Sequence, residues 1–320
     1  MAHNRNLRVR SSAAAFAGVA WLAVVLLLAG LTGCVDRSEA ERLADSGVKT
    51  ANTLAAYYES LAQDVTDTWE LEAFNGFLRG IPLDERAGQD LATTIDALNR
   101  RALLARRLAA AYEALKQLAS YDASAQVKAA AGNLGDAMTG LPPLKGSNPS
   151  PILSSVAADL TAWKQSRDIH RATTLLVGPL EKTHQLFDKE IPLYRSIAEE
   201  RGNKVAVVAD FLITNKMVAA LPLLQKVPDA LGLSFTGGGS AADDPKTIQA
   251  IAALARVRLQ RMASLSAGAA DGTSQSLAHL VASQQEFLAK RRPSLAEVEA
   301  GLQKAQSYLD EIAKLRTQKK

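Results

Sequence analysis

With 320 residues, 48% apolar and 22% charged, the chain has material for one large domain or two smaller ones and too little charge for a disordered polymer. Aromatics make up only 5%, and Ala and Leu dominate the apolar set, which favours helices over strands. Of the formal net charge of +4, Arg5, Arg8 and Arg10 supply three, so the remainder carries 34 basic against 33 acidic side chains and makes no nucleic-acid footprint. The single cysteine, Cys34, excludes an intramolecular disulfide, so packing alone must hold the body.

Residues 1–10 hold three arginines and no acid, and every residue from Ala13 to Leu31 is apolar or glycine. A basic start followed by an apolar run is the form of an export signal. Its 19 residues also approach the roughly 20 that span a bilayer, so a plain transmembrane anchor with an incidental cysteine is the competing reading. The run leads into Leu31-Thr32-Gly33-Cys34. This tetrapeptide resembles the lipobox of bacterial lipoprotein precursors, in which Leu, a small residue, Gly or Ala, and Cys follow the signal core. The resemblance covers about the first 34 residues and implies nothing about the fold beyond them.

It implies a cleaved signal peptide over 1–33, recognised through Leu31, Thr32 and Gly33. Cys34 then becomes the first residue of the mature protein, its thiol carrying diacylglycerol and its new amino terminus an acyl chain. Two or three chains anchor stably where one is marginal. Val35 follows the cysteine and Asp36 comes second. In lipoproteins of enteric-type bacteria an aspartate directly after the cysteine holds the protein in the inner membrane, so the resemblance points here to the outer one.

Beyond Asp36 the pattern is helical. Leu54, Tyr58, Leu61 and Val65 share one face of a helix predicted over 38–79 and ended by Gly80-Ile81-Pro82. At 1.5 Å per residue it would be roughly 60 Å long, which suits an elongated bundle. A second helix is predicted from Asp84 to Ser120, with its acids leading and Arg100, Arg101, Arg106 and Arg107 trailing, an order that suits the helix dipole. Its stripes, Leu91/Ile95/Leu98 and Leu104/Leu108/Ala111/Leu115/Leu118, make a face wide enough for more than one neighbour. The four arginines read as a solvated face with local ion pairs rather than an anion-binding patch.

A short helix is expected over 123–140, then a Pro-rich linker at 142–150, with Ser150 as N-cap and Pro151 in the first helical position. Ile152, Val156, Leu160 and Trp163 continue the apolar face. Gly178-Pro179 should interrupt it before Leu180, His184, Phe187, Ile191, Tyr194 and Ala198 resume, with a kink or break before Pro192. Residues 231–240 read as a flexible loop without the Gly-Lys-Ser/Thr of a phosphate loop. Asp244-Pro245 opens a helix with Ile248, Ile251, Ala255, Leu259 and Met262 on its face, and a further helix is expected over 273–291. The last opens on the capping box Ser294-Leu-Ala-Glu297 and carries Leu295, Val298, Leu302, Ala305, Leu309 and Ile312.

The expectation is an all-α, elongated bundle of long antiparallel amphipathic helices, about six to eight in number. An N-terminal long-helix hairpin over 34–141 and a C-terminal helical region over 151–320 would pack into one bundle.

Motifs of catalysis are missing. Histidine occurs at 3, 170, 184 and 279, with no HExxH and no spare cysteine once Cys34 is acylated, so no metal is expected. Glu70 and Glu72 point to different helical faces and make no acid–base pair, while Trp69 and Phe74 read as packing where helices meet. No nucleophile elbow or dinucleotide fingerprint occurs. The chain therefore reads as a non-enzymatic envelope lipoprotein, a helical scaffold held to the lipid bilayer through Cys34, with its body outside the cytoplasm and an envelope protein as partner. No nucleic acid and no cofactor beyond the lipid on Cys34 are expected. The alternative is a helical binding module for a small apolar or amphipathic ligand, with His184 as the pocket residue.

Overall fold

The computed structural model describes residues 11–81, 85–120, 123–165, 168–215 and 245–317. Side chains are described from residue 37 on, except at 85, 87, 120, 213–214, 317 and much of 245–259. No proline precedes Pro82, and the described residues there form one uninterrupted helix, α1 (Ser11–Leu78). It begins well before the expected residue 38, because the apolar run and the lipobox-like residues continue in the same helix as the body. Its end lies where glycine was expected to stop it. Gly80 takes φ +69°, and the Ile81 N–H donates to the Gly76 carbonyl at 2.9 Å, a left-handed glycine cap.

The chain returns as α2 (Glu85–Ser120), antiparallel to α1. The Lys116–Asp45 pair at 2.8 Å and the Arg106–Glu59 pair fix that register, and the Tyr112 ring lies against Gly47. α3 (Ser124–Thr139), α4 (Ser150–Leu153), a 3-10 turn (Ser154–Val156) and α5 (Ala157–Trp163) cover the flank of α2 and α6 (Ile169–Thr214). α6 runs parallel to α1, with Phe187 beside Tyr57, Tyr194 beside Tyr58 and Arg201 on Asp67. α7 (Pro245–Leu288) runs antiparallel to both, and α8 (Leu295–Thr317) comes back beside α1, where Arg316 meets Asp64 at 2.6 Å. The expected all-α bundle of about six to eight helices is the fold the chain adopts.

One continuous apolar core runs through these helices. The predicted faces supply it: Leu54, Tyr58 and Leu61 of α1, Leu98, Leu104, Leu108 and Leu115 of α2, and all six positions named for α8 are buried. Alanine is abundant in the core, and small side chains let helix axes approach closely.

Several expected interruptions do not occur, for a shared reason. α6 passes through Gly178, Pro179 and Pro192 as one helix. A Cβ on Gly178 would fall 2.6 Å from Asp159 Oδ2, so this glycine admits α5 rather than ending α6. α7 likewise runs unbroken from Pro245 through the expected gap before 273. There, Gly272 faces the Ala305 backbone, where a Cβ would sit 2.9 Å from the amide nitrogen, and Gly301 faces the Ser276 amide at the same distance. Gly272 and Gly301 are close-contact points between α7 and α8.

The Pro-rich segment is docked, with Leu141 and Leu144 buried. Leu144 and Ser147 exchange two backbone hydrogen bonds, of 3.0 and 2.8 Å, around Lys145 (φ +41°) and Gly146 (φ +88°). Ser150 does not cap α4; its own N–H donates to Asn148 Oδ1 at 3.0 Å. In the predicted capping box, the Ser294 N–H donates to Glu286 Oε2 at 2.8 Å, while Glu297 pairs with His279. The loop expected at 231–240 lies outside the described residues, as do the side chains of Ile248, Ile251, Ala255 and Leu259.

Gly301→Ala should lower stability by about 1–3 kcal/mol, because the added methyl meets backbone that cannot give way. Gly132→Ala, whose added Cβ would meet only the Lys164 side chain at 3.7 Å, should be neutral or raise it by up to about 1 kcal/mol. Denaturant midpoints of the two variants compare them directly.

Candidate functional site

Arg101 falls within the apolar stripe of α2, between Leu98 and Leu104, and so turns inward while its neighbour Arg100 turns out. Arg101 and Glu190 of α6 are both fully buried. The guanidinium donates through Nε to Glu190 Oε2 at 2.8 Å and through Nη2 to Oε1 at 2.6 Å. Nη1 donates to the carbonyls of Ala97 at 3.0 Å and Pro142 at 3.2 Å. Tyr194 donates to Glu190 Oε2 at 2.5 Å, and its hydroxyl lies 3.3 Å from that of Tyr58 on α1. The solvated-arginine reading holds for Arg100, paired with Asp96, and Arg106, paired with Glu59, and fails for Arg101. Consecutive residues stand about 100° apart around a helix, so the four arginines never shared one face.

Burial pushes the phenols of Tyr57, Tyr58, Tyr112 and Tyr194 above the ordinary tyrosine range. The two beside Glu190, Tyr194 and Tyr58, are therefore neutral phenols at physiological pH, with Tyr194 donating to the carboxylate.

A second polar cluster joins α1, α6 and α8. Asp64 accepts from Arg316 at 2.6 Å and lies 3.0 Å from Arg201, which also holds Asp67 at 2.9 Å. Burial raises the Asp64 carboxyl above its usual range, against the lowering effect of Arg316 and Arg201. Arg316 donates as well to the Ser60 carbonyl at 3.0 Å. Farther along, Lys204 pairs with Glu72 at 2.8 Å. Much of the acidic run near the end of α1 is thus engaged in helix pairing.

His184 stands at the core boundary. Its Nε2 lies 3.0 Å from Asp188 Oδ2, and Ser274 Oγ of α7 donates to Asp188 Oδ1 at 2.5 Å. Serine, histidine and aspartate meet here, but not in catalytic order. A triad needs the carboxylate on one ring nitrogen and the serine on the other. Here the serine hydroxyl also approaches Nε2, at 3.5 Å, and its proton goes to the carboxylate. The carboxylate sits one turn along His184's own helix, with Ser274 the neighbour's contribution. His170 stacks on Phe287 at 5.0 Å. Among the described residues no group of three or more His, Cys, Asp or Glu is arranged to hold a metal.

Surface clefts among the described residues include two between helices. One, of about 160 Å³, lies where α1, α2, α6 and the Lys145 turn meet, walled by Trp69, Val65, Leu91 and Ile197. Glu72, Asp90, Lys145 and Glu200 edge it. The other, of about 200 Å³, lies between α2 and α3, beside Arg100, Arg107, Asn133 and Asp136. His184 lines neither. Trp69 is half-buried and lines the first cleft, whereas Phe74 is exposed, with Phe77 (81% exposed) and Ile81 beside the end of α1. Leu31, Thr32, Gly33 and Cys34 lie in α1, their side chains outside the described ones.

No family model, curated protein or solved structure matches the chain.

Glu190→Gln leaves the Arg101 guanidinium buried without its counter-charge and should cost about 3–5 kcal/mol. Asp96→Asn removes an exposed pair and should cost no more than about 0.5 kcal/mol. The raised phenols make a second expectation, with a definite sign. Their contribution to stability is complete below the unfolded tyrosine pKa of about 10 and is lost as pH rises above it. In an alkaline titration their phenolate absorbance should appear together with loss of helical circular dichroism, not ahead of it.

Proposed function

We propose that the chain is a bacterial envelope lipoprotein, anchored by acyl chains on Cys34, whose helical body serves outside the cytoplasm as a non-enzymatic interaction or scaffold protein. The observation that carries this reading is the tetrapeptide Leu31-Thr32-Gly33-Cys34 directly after a basic start and a 19-residue apolar run. A lipid on Cys34 would tether the end of the bundle where Glu39 and Asp45 meet Arg292 and Lys116. Phe77 would then stand about 65 Å along the helix from the bilayer.

From residue 37 on, no described helix is long and apolar enough to cross a membrane, which fits a body held by its tether alone. Phe74, Phe77 and Ile81 give the far end an apolar surface suited to a protein partner. The charged groups buried in the core are engaged in helix pairing, which supports a role without catalysis. Val35 after the cysteine favours the outer membrane over the inner.

Cys34→Ser tests the anchor. Metabolic acyl labelling should vanish and an uncleaved precursor of higher mass should accumulate, and persistent labelling would overturn the reading. The scaffold role is tested in the same cells by a photo-crosslinking residue at position 77, with one at exposed Lys128 as reference. A discrete envelope-protein adduct from 77 alone is expected; no adduct, or the same adducts from both positions, would contradict it.

A further inference from the structure

We propose that the cleft over Trp69 binds a small organic ammonium ion, an activity separate from the anchoring and scaffold reading. Size comes first. At about 160 Å³ the cleft is close to the volume of an engineered cavity that admits a benzene ring, and because it is open to solvent it sets the size of the group that enters, not of the whole occupant. Composition comes next. Val65, Leu91, Ile197 and the Trp69 indole wall the cleft, and such walls require an occupant with an apolar body.

The sign of its charge follows from the rim. Three carboxylates, of Glu72, Asp90 and Glu200, face a single ammonium, that of Lys145. Lys204 neutralises Glu72 at 2.8 Å, and Lys145 shares a longer, 3.4 Å contact with Glu200. Asp90 is exposed and makes no ion pair among the described residues, so the rim keeps a net negative charge.

Donors for an anion are scarce. The hydroxyls of Thr68 and Thr94, which also line the cleft, donate to their own helices, to the Asp64 carbonyl at 2.7 Å and the Asp90 carbonyl at 2.9 Å. An inorganic cation would need a close cage of oxygen ligands, whereas here the walls are largely carbon. A weakly hydrated ammonium with methyl or methylene groups suits both features. Its charge lies against the indole face, the best of the aromatic faces for a cation, and within reach of Asp90.

The probe is choline, titrated into the full-length chain in a neutral maltoside micelle and followed by ligand-observed NMR. Saturable binding is expected. Trp69→Leu should abolish it, and Asp90→Asn, at an exposed position where the fold is not at stake, should weaken it about threefold to tenfold. Circular dichroism confirms that both variants stay folded. Short-chain phosphatidylcholine distinguishes the source: tighter binding than choline assigns a lipid headgroup, and equal or weaker binding assigns the free cation. The proposal is overturned by an absence of saturable binding, by equal binding of the neutral isostere 3,3-dimethylbutanol, by preference for butyrate, or by wild-type affinity in Asp90→Asn.

Discussion

The buried pair of Arg101 and Glu190 ties together parts of the chain that no local pattern relates. Through the guanidinium it holds α2 to α6 and to the carbonyl of Pro142; through Tyr194 and Tyr58 it reaches α1. A fully buried charge pair adds little net stability over apolar packing, and its value lies in what it excludes. Rotating α2 by one position would swing Arg101 out and an apolar residue in, leaving Glu190 buried without a partner. Alanine-rich helices offer few shape-specific knobs, so any register that buries small residues is nearly as good as another. A bidentate pair is intolerant of such slippage, and it supplies the specificity that the core side chains do not.

The Asp64 cluster plays the corresponding part nearer the far end of the bundle, where Arg201 and Arg316 reach one carboxylate from two helices. Between these polar locks lies a tight aromatic group, Tyr57, Tyr58, Phe187 and Tyr194, with ring centroids 5.5–6.3 Å apart. Aromatics are scarce in this chain, and four of them meet at one level of the core, where α1 and α6 run parallel.

Much of this was legible beforehand. Helical periodicity located α2, α3, α8 and the end of α1 closely, because their apolar positions recur at steps of three and four. The errors share a cause. Gly178-Pro179 reads as an interruption in the sequence, yet Gly178, like Gly272 and Gly301, marks where one helix presses on another, and that depends on a partner distant in sequence. Arg101 could have been singled out, since its stripe position was visible, but Glu190 is 89 residues away and nothing local announces it. The Trp69 cleft is less legible still, being assembled from α1, α2, α6 and a turn. His184 attracted notice as a polar residue in an apolar stripe, and its geometry is that of a boundary residue satisfied by its own helix.

The place of α8 bears on how the molecule comes into being. α1 is synthesised first, yet Asp64 meets Arg316 across 252 residues, at the other end of the chain. Until the last helix has been made, the α1 surface that α8 covers stays open to water, and one of the two arginines serving Asp64 is missing. Contacts of such long range close slowly. The packing of α1 in the native bundle therefore depends on residues as distant as Arg316, made 252 positions after the Asp64 it serves.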